Sequence, residues 1–232
     1  RPLAIPGVLL DLSVMIDGIQ FKVCGLTSLV DAEFSDRLGA DFLGFILYPK
    51  SPRHVSLSQY ADMAKRLPTL RKTVAVMVEP RTDELKAAEQ AGFSCFQIHF
   101  RPELPLETVG DWSRLVGPDR LWLAPKLPPD RDVAAEWLPL AKTVLLDTFH
   151  EAGFGGSGMT GDWEKFARHQ ASHPGNRWVL AGGLRPENIG EALRRTRARR
   201  VDVNSGVEVS PGLKDHAKLK AFVLEIHRAA TA

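Results

Sequence analysis

The feature that most constrains this chain is an alternation repeated eight times: a short, almost wholly apolar run, then a polar or amphipathic stretch. The runs fall at residues 21–24, 42–47, 73–78, 95–99, 121–124, 143–147, 178–181 and 201–204. Helical spacing of apolar residues is clearest at 29–38, 57–67, 82–91, 162–169, 186–193 and 215–229. A strand that is apolar on both faces is buried on both, as in a parallel sheet covered by helices. Two architectures fit that pattern, an open doubly wound sheet and a closed (βα)8 barrel. Eight units in about 210 residues suit the barrel, which typically needs ~200–250 residues. No G-x-G-x-x-G follows the first run, which weakens a dinucleotide-binding open sheet. Polar residues or glycines recur where the runs end: Cys24, Tyr48, Gln97 and His99, Lys126, Asp147, Gly182-Gly183 and Asn204-Ser205-Gly206. A barrel builds its site from those carboxyl ends. The expectation is one α/β domain, a (βα)8 TIM barrel over 19–232, preceded by an extension over 1–18 with no assigned role.

Composition narrows the partners. A formal charge of +2 is too near zero to argue for nucleic acid or an anionic membrane. The arginines at 194, 195, 197, 199 and 200 look like a nucleic-acid patch in isolation, but they fall at an expected helix end, where cations favour the dipole. No stacking aromatics accompany them. The two cysteines, Cys24 and Cys95, have no metal-ligand spacing. Residues 3–10 are apolar but are interrupted by Pro6 and Gly7, which does not read as a signal peptide. A reduced, cytoplasmic protein is expected, acting as a monomer or homodimer on a small molecule.

The chemistry begins in the segment Phe-Lys-Val-Cys-Gly-Leu-Thr at 21–27. Lys22 and Cys24 share one face of the run, because strand side chains alternate. Gly25 permits a sharp turn, and Thr27 or Ser28 can cap the following helix. On this run alone Cys24 reads readily as a small buried hydrophobe. At a barrel mouth, beside a lysine expected to lower its pKa, it reads as a base or nucleophile. Asp147 ends the sixth run and either caps a turn at Thr148 or serves as a general acid with a pKa raised by the apolar mouth. A base and an acid facing each other suit a proton-shift isomerisation. Gly182-Gly183 precede a helix start at Pro186, and Ser205-Gly206 open a short extra helix one unit later. Ordinary barrel turns would look similar, yet these are the units in which barrels hold phosphate. Arg53 lies in a proline-stiffened loop; it is either a surface residue or a fork for a carboxylate.

Several segments together resemble the phosphoribosylanthranilate isomerase family of tryptophan biosynthesis. They are KVCGLT (22–27), GADFLGFILYPKSPRHVS (39–56), VAVMVEP (74–80), FQIH (96–99), LLDT (145–148), GGSG (155–158) with DW (162–163), LAGGLRPENI (180–189) and VDVNSGVEVSPGLKD (201–215). The resemblance implies a single barrel with no metal and no organic cofactor. It also implies an Amadori rearrangement of N-(5'-phosphoribosyl)anthranilate to 1-(o-carboxyphenylamino)-1-deoxyribulose 5-phosphate. By the same likeness Cys24 is the general base, Asp147 the general acid and Arg53 the binder of the anthranilate carboxylate. Gly182, Gly183, Ser205 and Gly206 bind the phosphate, and Asp202, Gln97 and His99 are further candidates for ligand contact. Three departures stand out: Phe100-Arg101-Pro102 after His99, Asn204 in place of a small residue, and the extension over 1–18.

Two other readings compete. A phosphate-binding barrel without enzymatic activity would need neither Cys24 nor Asp147. A histidine-pathway ribonucleotide isomerase resembles the same scheme but typically carries aspartate at the Cys24 position and needs a second phosphate turn.

Overall fold

In the computed structural model of the protein, residues 4–5, 8–9, 18–67, 72–147 and 162–231 are described. Eight parallel strands close into a barrel. In chain order they are Gln20–Val23, Phe42–Ile46, Lys72–Val78, Cys95–Phe100, Leu121–Pro125, Thr143–Leu146, Arg177–Leu180 and Arg200–Val203. Each pairs with its neighbour in sequence, and the eighth returns to the first with Asp202 opposite Lys22. Every strand coincides with one of the eight apolar runs to within a residue or two.

The helices outside the barrel are α1 (Leu29–Arg37), α2 (Leu57–Ala64), α3 (Thr82–Gln90), α4 (Leu106–Val116), α5 (Trp163–Ser172), α6 (Pro186–Thr196) and α7 (His216–Thr231). Ser28, not Thr27, caps α1: its hydroxyl accepts the Asp31 N–H at 3.1 Å. Thr27 instead donates its hydroxyl to the Gly212 carbonyl at 2.6 Å, which ties the first loop to the chain's last hairpin. The helical spacing found in the sequence missed α4, which starts at Pro105 without a side-chain cap and carries Gly110. The fifth unit has a 3-10 helix, Ala135–Leu140, with Pro139 inside it. A proline there cannot donate to an α-helical ladder.

Alternation along the strands sorts the core into two layers. Phe42, Val74, Val76, Cys95, Trp122, Ala124, Leu145, Val179 and Ala181 fill the barrel, with Cys24 above them. Phe21, Val23, Leu43, Phe45, Phe96, Ile98 and their neighbours pack outward against the helices. Burying one such side chain contributes roughly 1.5–3 kcal/mol, so both layers hold the strand ends in place. Two elements beyond the eighth strand bear on the site. Ser205–Val207 form the short extra helix expected from the sequence, and Glu208–Ser210 pair antiparallel with Leu213–Lys214. Among the described residues no helix is long and apolar enough to cross a membrane.

Candidate active site

A cavity of about 750 Å³, open mouth included, lies at the carboxyl ends of the strands. Its walls include Cys24, Arg53, Gln97, His99, Asp147, Gly182, Gly183, Asp202, Asn204 and Ser205. Residues from the first, fourth, sixth, seventh and eighth strand ends thus converge, as a site built on a barrel requires.

The floor beneath Cys24 is charged. Lys22 is 1% exposed, and its ammonium donates to both oxygens of Asp202 at 3.0 Å. The pair bridges the strands that close the barrel. Gly44 makes room for it: a Cβ there would sit 2.8 Å from Lys22 Cε and 3.2 Å from the Cys24 α-carbon. Burial, together with the Asp202 charge, pushes the Cys24 thiol up, and Lys22 opposes that only in part. Burial also raises the Asp202 carboxyl against the pull of Lys22. Lys22 does pull the thiol down, as expected from the sequence, but burial outweighs it and the lysine donates to Asp202, so the net direction is up.

A second charged cluster shapes one wall. Glu208 accepts from Arg53 Nε at 2.9 and 3.1 Å, from Arg53 Nη2 at 2.7 Å and from Lys214 Nζ at 2.8 Å. Lys214 Nζ also donates to Asn204 Oδ1 at 3.0 Å. Gly25 lies against this cluster at φ +71°, where a Cβ would meet Asn204 Oδ1 at 2.6 Å and Arg53 Cδ at 2.8 Å. Arg53 is thus held along one edge, and among the described residues its Nη1 makes no hydrogen bond.

On the opposite wall Gln97 Nε2 and His99 Nε2 lie 2.8 Å apart. Burial, with the Lys22 charge adding to it, pushes the His99 imidazole down to about 4, so it is neutral at physiological pH. The Gln97 Oε1 end is buried with no hydrogen-bond partner among the described residues. A buried acceptor left alone costs roughly 1–3 kcal/mol, which favours a polar ligand or water there. At the rim, Gly182 and Gly183 have φ of +87° and +62°. Asn188 braces the turn, accepting the Arg185 N–H and donating to the Gly183 carbonyl, both at 2.9 Å. Gly206 packs its bare α-carbon on the neighbouring turn, where a Cβ would lie 2.0 Å from the Leu184 carbonyl oxygen. The two glycine turns are therefore in contact.

The family model described as N-(5'phosphoribosyl)anthranilate (PRA) isomerase matches residues 21–225. The chain belongs to this isomerase family. It is 35% identical over 206 residues to N-(5'-phosphoribosyl)anthranilate isomerase of Aquifex aeolicus, covering 88% of this chain and 97% of that one. The Pseudomonas fluorescens enzyme is 37% identical over 209 residues, covering 90% and 98%. Among solved structures, phosphoribosyl anthranilate isomerase from Thermus thermophilus superposes with a TM-score of 0.75 at 31% identity, over 89% of this chain and 98% of that one. A family structure in complex with reduced 1-(o-carboxyphenylamino)-1-deoxyribulose 5-phosphate gives a TM-score of 0.68 at 31% identity, over 90% and 98%.

Of the site residues expected from the sequence, Cys24, Asp147, Arg53, Gly182, Gly183, Ser205, Asp202, Gln97 and His99 all line the one cavity, and Gly206 stands behind it. Asp202 and Asn204 share the inward face, as alternation requires. The departure after His99 continues the fourth strand: Phe100 is buried, and Arg101 pairs with Glu79 at 2.7 Å. Asn204 supplies an acceptor for Lys214 that a smaller residue would lack. The segment Gly155-Gly156-Ser157-Gly158 and the Thr148 turn lie outside the described residues. Glu208 and Lys214 were missed as part of the site. Their signal was an acid and a base flanking the turn Ser210-Pro211-Gly212, a hairpin pattern that sets the two charges opposite one another.

Proposed function

We propose that this protein catalyses the Amadori rearrangement of N-(5'-phosphoribosyl)anthranilate to 1-(o-carboxyphenylamino)-1-deoxyribulose 5-phosphate, a step of tryptophan biosynthesis in the cytoplasm. The observation that carries the reading is the convergence of Cys24 and Asp147 on one cavity in a chain of this family. Asp147 is the general acid: it protonates the ribose ring oxygen and opens the sugar to a Schiff base. Cys24 is the general base: as thiolate it takes the C2' proton, giving an enolamine that tautomerises to the ketone. The Arg53 edge facing away from Glu208 meets the anthranilate carboxylate, since a guanidinium forms paired bonds with a planar carboxylate. Backbone amides of Gly182, Gly183, Ser205 and Gly206 hold the phosphate, aided by the start of α6. Gln97, with His99 neutral beside it, and Asp202 face the ribose hydroxyls.

The test is the loss of phosphoribosylanthranilate fluorescence with purified protein. Cys24→Ala and Asp147→Asn are each expected to lower turnover by ~10²-fold or more with the fold retained. Absence of turnover in the parent protein would overturn the function; full activity in either variant would overturn the acid–base assignment.

A further inference from the structure

Three ionisable groups share the barrel floor: Lys22, Cys24 and Asp202. Lys22 Nζ lies 3.0 Å from both carboxylate oxygens. Lys22 and Asp202 are 1% and 8% exposed, and Cys24 is 4% exposed. Lys22 and Cys24 are two positions apart on one strand run and share a face, and a Cβ at Gly44 would lie 3.0 Å from Lys22 Nζ and 3.2 Å from the Cys24 α-carbon. One ammonium is therefore bonded to Asp202 and lies on the same face as the Cys24 thiol, two groups able to carry negative charge.

We propose that Lys22 and Asp202 are positioning residues that set the protonation of Cys24, with the sulfur and the carboxylate competing for the single Lys22 cation. When Asp202 carries the negative charge, the thiol keeps its proton. When the proton moves from Cys24 Sγ to an Asp202 oxygen, the sulfur becomes the anion beside Lys22, and the net charge of the trio is unchanged. Burial makes this competition sharp, because a low-dielectric interior does not tolerate two anions against one cation. Directions of proton affinity agree. Burial raises both acids, each is pulled down by Lys22, and Asp202 pushes Cys24 up. Lys22 stays cationic: burial opposes its charge, but whichever of Asp202 and Cys24 carries the negative charge outweighs that. Lys214 also acts on the thiol, and the cavity that Cys24 lines is bordered by Arg53, Asp147 and His99, whose imidazole is neutral. The inference deepens the reading of Cys24 as the base, but its test needs no substrate.

Cys95 is the other cysteine of the chain, so a Cys95→Ser background leaves Cys24 as the sole thiol. Its ionisation is followed by thiolate absorbance and by the pH dependence of iodoacetamide alkylation, with circular dichroism confirming the fold. Lys22→Met is expected to raise the thiol midpoint by about one pH unit or more, a tenfold fall in thiolate at a given pH. Asp202→Asn is expected to lower it by a similar amount. Opposite shifts identify competition for one charge; a merely structural role would not separate the two variants by sign. If Lys22→Met fails to fold, the comparison is Asp202→Asn against Lys22→Met/Asp202→Asn, and the double variant is expected to have the higher midpoint. An unmoved midpoint, or shifts of the same sign, would overturn the proposal while leaving the fluorescence assay to judge the isomerase. Failure of that assay would in turn leave the titration result standing.

Discussion

Glu208→Gln keeps the shape of a side chain and removes its charge. The carboxylate holds two cations, Arg53 at 2.7 Å and Lys214 at 2.8 Å, and the three side chains are 4%, 10% and 0% exposed. Removing one partner of a buried ion pair costs ~3–5 kcal/mol, because the charge left behind has neither an anion nor water. The glutamine carbonyl still accepts one hydrogen bond, which puts the loss near the low end, ~3 kcal/mol. For a domain of this size each kcal/mol shifts Tm by ~2–4 °C, so the expected fall is about 6–12 °C. Thermal unfolding followed by circular dichroism reads it directly. The pH dependence gives an independent check. Burial alone would raise the Glu208 carboxyl, but hydrogen bonds from Arg53 and the charge of Lys214 outweigh it and hold the group below its ordinary 4.5. A depressed carboxyl stabilises the fold above its unfolded value, and that contribution is lost as pH falls through the folded value. The gap between parent and variant should therefore be full at neutral pH and narrow in acid below 4.5. A fall of less than about 2 °C at neutral pH would refute the ion-pair argument. So would a gap that stays constant into acid.

Arg53→Ala should raise KM for the anthranilate substrate by ~10-fold or more, with a smaller effect on kcat; an unchanged KM in steady-state assays would move the carboxylate contact elsewhere. Gly206→Ala drives a Cβ to 2.0 Å from the Leu184 carbonyl oxygen, which is backbone and cannot rotate away. It should cost ~1–3 kcal/mol in urea unfolding and weaken phosphate-dependent binding by spreading the two turns; a neutral result in both would sink the packing argument. His99, pushed down to about 4, should show no imidazole protonation by NMR until well below pH 6.5. The unfolded chain takes up that proton first, so this residue makes stability fall as pH drops from 6.5 toward 4.

The strands were legible because their signal is local. A buried parallel strand has to be apolar on both faces, and each such run announces itself within four to seven residues. Alternation alone gave the shared face of Lys22 with Cys24 and of Asp202 with Asn204, and the barrel turns Cys24, Asp202 and Asn204 inward. Helix α4 was not legible: Pro105 offers no side-chain cap and Gly110 dilutes the helical signal. The charge partners were hidden for a different reason. Arg53 meets Glu208 across 155 positions, and no local pattern encodes a contact that exists only after the barrel has closed. The net direction of the Cys24 thiol was hidden on the same ground. Lys22 is visible beside it in sequence, whereas Asp202, which takes up that lysine, is 180 positions from it.

Contacts across the closing seam join the first unit of the barrel to its last. Lys22–Asp202, Thr27–Gly212, Asp31–Lys214 and Asp31–His216 each link residues 180–185 positions apart. A nascent chain therefore exposes the Cys24 sulfur long before residues 202–216 arrive, and the charged setting of that sulfur is assembled only when the circle is zipped shut. Turnover would then report completion of the ring itself, and a polypeptide ending before the last strand would carry an intact cysteine with no working environment around it.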